Sequence, residues 1–181
     1  MLSLTEIAGK AVGAAKAAGA ALSGYRGIFR TLKREHGEVS VLLMRIATEK
    51  DGHARARLFP LVTRELLGHA RAEDAEFYSV LAEHESTRAL VVRLEAEHER
   101  IEQLLTELSG LPSASPAWAE RFRELQRAVQ EHVDVEENQM FPRARRILSP
   151  ELTEEMDRRY KLEKVRVGAP PPEPPPAQPL A

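Results

Sequence analysis

Cysteine is absent from the chain, which removes disulfides, thiolate metal sites and thiol nucleophiles together. A reducing, cytoplasmic setting fits a chain built this way. Aromatic residues are scarce, at 5%, and no stretch sustains a period-two alternation, so there is little to build strands from. Nowhere do about 18 apolar residues run together without charge, and no transmembrane segment is expected. Charge of one sign is lacking too. The 26 Lys and Arg are interspersed with 28 Asp and Glu for a net charge of −2, leaving no basic stripe for a nucleic-acid backbone. The opening stretch, rich in small apolar residues, is interrupted by Glu6, Lys10 and Lys16 and does not have the layout of an export signal.

What remains is helix-forming. Apolar residues make up 43% of 181 positions, enough for one sizeable core, and Ala, Leu, Glu and Arg dominate. An all-α fold is expected, with breaks at residues 50–53, 83–87, 109–116 and 148–150 giving four long helices and a shorter one. Ser115-Pro116 and Ser149-Pro150 each read as a helix N-cap followed by Pro in the first turn, and Gly110 suits a helix end. Pro60 and Pro142 fall inside helical patterns, where each marks either a kink or an end. Leu4, Ile7, Ala11, Ala14, Ala18, Ala21 and Tyr25 describe a weakly amphipathic N-terminal helix. Gly9 and Gly13 form a GxxxG spacing, which outside a long apolar helix carries no packing meaning. The expected divisions are 1–24 for this Ala-rich helix, 25–165 for the helical body with its short closing helix, and 166–181 for a disordered Pro-rich tail.

Chemistry enters through a repeat. Leu32–Leu43 and Leu94–Leu105 share the pattern Leu-x-x-Glu-His-x-x-(Val/Ile)-x-x-Leu-Leu. His69 follows His36 by 33 residues and His132 follows His98 by 34, and each later His begins His-x-x-x-Glu, ending at Glu73 and Glu136. An acidic residue comes next in both copies, Asp74 and Glu137. Residues four apart on a helix are offset by about 40° and about 6 Å, so each His and Glu leave one face. Leu32, Val39 and Leu43 share the face of His36, and Leu94, Ile101 and Leu105 that of His98, which turns both imidazoles inward. His-x-x-x-Glu alone is commonly an ordinary helical pair, and His98 with Glu102 makes a third instance. Its recurrence at matched places in a duplicated hairpin is what marks the other two. Two hairpins packed antiparallel would bring four imidazoles and two carboxylates into the interior, where unpaired polar groups are costly and a metal relieves that cost. His53 and His84 fall at helix starts and loops and are expected in solvent.

On these residues the chain resembles the hemerythrin-like family, the HHE cation-binding domain, over about residues 28 to 160. The resemblance rests on His36, "HARAE" from His69, His98 and "HVDVE" from His132, with the accompanying "EDAEFYS", "EENQMFP" and "LSPEL". It implies an antiparallel up-down-up-down four-helix bundle and a non-haem di-iron centre with an oxo or hydroxo bridge, ligated by His36, His69, Glu73, His98, His132 and Glu136. Imidazole and carboxylate donors accept manganese or zinc as well. The implied function is binding of, or reaction with, dioxygen, peroxide or nitric oxide, for detoxification or sensing, alongside a redox or protein partner of unknown identity. The alternative is an iron-responsive sensor or storage module without turnover. Leu94 stands where oxygen carriers place a further His, and Glu136 follows His132 by four residues in place of five, which argues against reversible oxygen carriage. If Glu73 and Glu136 bridge, each ion has an open position; Glu76 and Glu102 are candidates to close one. Tyr78, on the far side of an ideal helix from His69, reaches the metals only if that helix is distorted.

Overall fold

The computed structural model describes residues 4–22 and 24–168, and among these every regular element is helical. Of the tail expected at 166–181, residues 166–168 belong instead to the last helix, and those from 169 onward lie outside the described residues. In chain order the helices are α1 (Leu4–Leu22), α2 (Ile28–Thr48), α3 (Gly52–Glu73), a one-turn α4 (Ser79–Leu81), α5 (Glu85–Ser109), α6 (Pro116–Val135), α7 (Phe141–Ile147) and α8 (Pro150–Gly168). Two π-helical turns interrupt them, Asp74–Tyr78 after α3 and Glu136–Met140 after α6. The first begins directly beyond the Glu of its His-x-x-x-Glu and the second at that Glu itself. None of the described helices is long and apolar enough to cross a membrane.

Local chemistry sets the ends. The Asp51 carboxylate accepts from the His53 amide at 3.0 Å and starts α3. Ser115 Oγ accepts from the Trp118 amide at 3.1 Å with Pro116 in the first turn of α6, and Ser149 Oγ accepts from the Leu152 amide at 3.2 Å ahead of α8. Both are the caps expected from the Ser-Pro pairs. Pro60 lies within a continuous α3, whereas Pro142 sits in the first turn of α7, just past the second π-turn.

The body is a closed set of helices: α2 contacts α3 and α6, and α5 contacts α3 and α6. Its interior divides into two apolar clusters. One gathers Ile28 and Leu32 of α2, Phe77 and Tyr78 after α3, Leu90 and Leu94 of α5, and Met140 and Phe141 after α6. The other gathers Val39 and Leu43 of α2, Val62 and Leu66 of α3, Ile101 and Leu105 of α5, and Leu125 and Val129 of α6. On every one of these helices the conspicuous polar residues fall between the two clusters in sequence.

Two elements differ from expectation. The closing helix α8 is not short; it runs for 19 residues. Met156 and Tyr160 are wholly buried, and Thr31 Oγ1 donates to Asp157 at 2.6 Å, tying α8 to α2. Its apolar stripe is narrow, which hid its length. The Gly9 and Gly13 spacing does carry packing meaning, because α1 lies along α2 through it. A Cβ on Gly13 would come within 2.6 Å of the Arg34 carbonyl oxygen, and one on Gly37 within 3.0 Å of Gly13 Cα. Only hydrogen on these α-carbons permits so close an approach.

Candidate metal centre

The six residues singled out by the repeat converge between the two clusters. His36, His69 and Glu136 form one group and Glu73, His98 and His132 another; within each, one ligand atom per residue lies within 4.8 Å of the others. All six are buried, Glu73 and Glu136 completely. Each group takes two imidazoles from one hairpin and its carboxylate from the other. His36 Nε2 is 3.1 Å from Glu136 Oε2, His69 Nε2 is 3.3 Å from Glu73 Oε2, and His98 Nε2 lies 3.4 Å from that same Glu73 oxygen and 3.2 Å from His132 Nε2. Glu73 Oε2 thus stands between imidazoles of both groups. His36 Nε2, His69 Nε2, both oxygens of Glu73 and Glu136 Oε2 are buried without a hydrogen-bond partner. Such orphaned nitrogen and oxygen atoms, divided between the two groups, could hold cations, which would satisfy them.

The outer faces of the rings explain the acidic residue after each His-x-x-x-Glu. Every Nδ1 meets a carboxylate: His36 with Glu137 at 2.9 Å, His69 with Glu35 at 3.2 Å, His98 with Asp74 at 2.8 Å and His132 with Glu97 at 3.3 Å. A carboxylate on Nδ1 keeps the proton there and leaves Nε2 free to bind a metal. The pattern is doubled. Glu35 and Glu97, each preceding a His, hold the second His of their own hairpin; Asp74 and Glu137, each following a Glu, hold the first His of the opposite hairpin.

Further residues tune these acids. Lys16 of α1 and Lys33 bind Glu137 at 2.7 and 2.6 Å. From α8, the Tyr160 hydroxyl lies 2.7 Å from Glu35 and 2.9 Å from His69 Nδ1, and Lys164 pairs with Glu35. Burial opposes charge on Glu35 and Glu137, yet His69 with Lys164 holds Glu35, and His36 with Lys16 and Lys33 holds Glu137, well below the usual carboxylate range. Burial also disfavours charge on the rings. It prevails at His36, pushed down to about 4, and at His132. At His98 it is outweighed by Asp74 and Glu73, which raise the ring to about 9, and at His69 by Glu73 and Glu35. Burial and the neighbouring Glu73 charge push Glu136 well up; Glu73, against its own burial, is held down chiefly by His69.

Of the other candidates, Glu76 is drawn away to Arg159 at 2.9 Å and the exposed Glu102 faces Arg71 at 3.5 Å, so neither joins the cluster. His53 and His84 are exposed. Tyr78 does arrive: the π-turn rotates it inward, its hydroxyl is 3.3 Å from Glu136 Oε1, and its ring stacks on His98 at 5.5 Å. Leu94 is fully buried in the apolar cluster.

Comparison with solved structures finds no match. A DNA nickase from Nostoc sp. (strain PCC 7120) is 26% identical over 140 residues, covering 75% of this chain but 38% of that protein, so the chain spans well under half of that relative's length. Residues 27–144 match the family described as the hemerythrin HHE cation binding domain. That range takes in all four imidazoles, both interior glutamates and every carboxylate set behind a ring, and the chain belongs to this family.

Proposed function

We propose that His36, His69 and Glu136 hold one iron ion and Glu73, His98 and His132 a second, and that the protein binds or reacts with dioxygen, peroxide or nitric oxide in a detoxifying or sensing role. The observation that carries this reading is the set of five partnerless buried donor atoms ringed by four imidazoles, each fixed from behind by an acid. The passage of each helix between the two apolar clusters supports an antiparallel up-down-up-down bundle for residues 25–165.

When bound, a redox-active metal pair supplies Lewis acidity and electrons to a small oxygen- or nitrogen-containing ligand. The protein's own groups do the rest. Glu35, Asp74, Glu97 and Glu137 hold the Nδ1 protons and orient the rings, and the Tyr78 hydroxyl beside Glu136 can pass a proton at that carboxylate. The apolar clusters on either side limit water. A small-molecule ligand is proposed in preference to nucleic acid, because the nickase named above is matched over only a minor part of its length. A second reading, an iron-responsive sensor without turnover, is favoured by one contact: Lys16 of α1 binds Glu137, which binds His36, so the centre and the N-terminal helix share a carboxylate.

Metal analysis after expression in iron-supplemented medium should give two irons per chain. Peroxide or dioxygen added to the reduced, iron-loaded protein should raise ligand-to-metal absorption; two irons with an inert spectrum would reject the reactive reading and favour the sensor.

A further inference from the structure

A cavity of about 260 Å³ opens against the centre. The four imidazoles form its inner end, and aliphatic side chains from all four body helices form its walls, among them Val39, Leu42, Leu66, Ile101 and Val129. Exposed Lys10 and Arg64 stand at the outer end beside the partly exposed Leu61. Diatomic gases and hydrogen peroxide need about the space of one or two waters, ~30 Å³ each. The cavity is several times larger than any of them requires.

Its size can be put in terms of a ligand. A dry cavity of ~150 Å³ lined by aliphatic and aromatic side chains takes benzene. Setting aside roughly two waters' worth of volume for a pair of ions and a bridging atom still leaves ~200 Å³, room for about eight carbons. Glu35, Glu38, Glu65 and Lys164 also line it, but they are paired with one another and with Arg34, so a charged or many-hydroxylated body would lose hydration that these committed groups do not replace. The four imidazoles supply polar atoms at the inner end, which can fix the orientation of a ligand with one polar head.

We propose that this cavity binds an aliphatic molecule of about six to ten carbons with a single oxygen-bearing head group, the body against the aliphatic walls and the head at the imidazole end. An organic hydroperoxide is the form that the centre would act on: its O–O bond would be cleaved to an alcohol and water with one electron from each of two reduced irons and two protons from solvent; this last step rests on the function proposed above, whereas binding of the body does not.

The test titrates metal-free and iron-loaded protein with 1-octanol by calorimetry, and then compares octyl hydroperoxide with hydrogen peroxide by the absorption of the iron-loaded form. Leu42→Phe and Val129→Phe fill the cavity from two different helices, and the iron content of each variant reports whether the centre is intact. Saturable binding of one 1-octanol per chain is expected, weakened tenfold or more in both variants at unchanged iron content. Octyl hydroperoxide should half-saturate the spectral change at a concentration at least tenfold below that of hydrogen peroxide, an advantage lost in the filled variants. Absence of saturable 1-octanol binding in the wild type, or equal binding in variants that keep their iron, would overturn the inference while leaving the di-iron reading intact. Binding of 1-octanol by a chain that takes up no iron would instead overturn the di-iron reading and sustain the cavity's ligand class.

Discussion

Four carboxylates, each one position away from a proposed ligand, decide which nitrogen of each ring faces inward. Removing one should weaken the metal without abolishing the fold. Asp74 is the best choice because its side chain is 40% exposed, so Asp74→Asn strands little buried charge. A loss of 10- to 100-fold in metal affinity is expected, read by competition with a chelator of known strength; an unchanged affinity would mean that the acid is only a surface partner. Protons compete at the same ring. In the metal-free protein Asp74 and Glu73 overcome burial and raise His98 to about 9, so uptake at neutral pH must displace a proton. Affinity should therefore climb by at least about tenfold per pH unit as pH rises from about 7 toward 9. Chelator competition at several pH values checks this, and a flat profile after correction for the chelator contradicts it. The six interior residues were legible because a doubled spacing is hard to produce by chance. The acids behind the rings were visible as letters but not as contacts, since an acid adjoining a helical His is ordinarily solvated. Tyr78 was illegible: on an ideal helix it points away from His69, and only the π-turn brings it round.

Helix ends were written in the chain more plainly than helix contacts. The Ser-Pro pairs act through a few atoms of adjacent backbone, and such short-range chemistry survives any tertiary arrangement. Packing of α1 and α8 depends on surfaces distant in sequence, which is why the Gly9 and Gly13 spacing looked incidental and α8 looked brief. The glycine contact can be challenged directly. A Cβ at Gly13 would meet the Arg34 carbonyl at 2.6 Å, and backbone in a helix cannot step aside. Gly13→Val should push α1 off α2 at a cost of about 1–3 kcal/mol, exposing α1 to limited proteolysis. Metal content should hold, because Lys33 still pairs with Glu137. Retained protection of α1 would show that the close approach is dispensable. The π-turns belong to this scale as well: each one widens the helix at or just past an interior glutamate and delivers aromatic or Met side chains, Phe77, Tyr78 and Met140, to the same apolar cluster, a use of extra backbone common at functional sites.

Across the whole molecule, a polar layer divides one apolar cluster from the other, and burying it is costly unless something binds there. A metal held at a thousandfold excess over its dissociation constant adds about 4 kcal/mol of stability, which for a chain of this size corresponds to roughly 8–16 °C in melting temperature. Thermal melts before and after exhaustive chelation should show that drop; coincident melts would deny the layer its proposed occupant. The class of fold was readable from composition and from the periodicity of the repeat, and the cavity was not, because a void is defined by what four helices leave unfilled. The duplicated hairpins carry one last implication. Each lends its glutamate and its following acid to the imidazoles of the other, so neither completes a metal position alone. A single hairpin could assemble the entire constellation only by pairing with a second copy, and the lysines and tyrosine gathered around just one of the two positions break that internal symmetry.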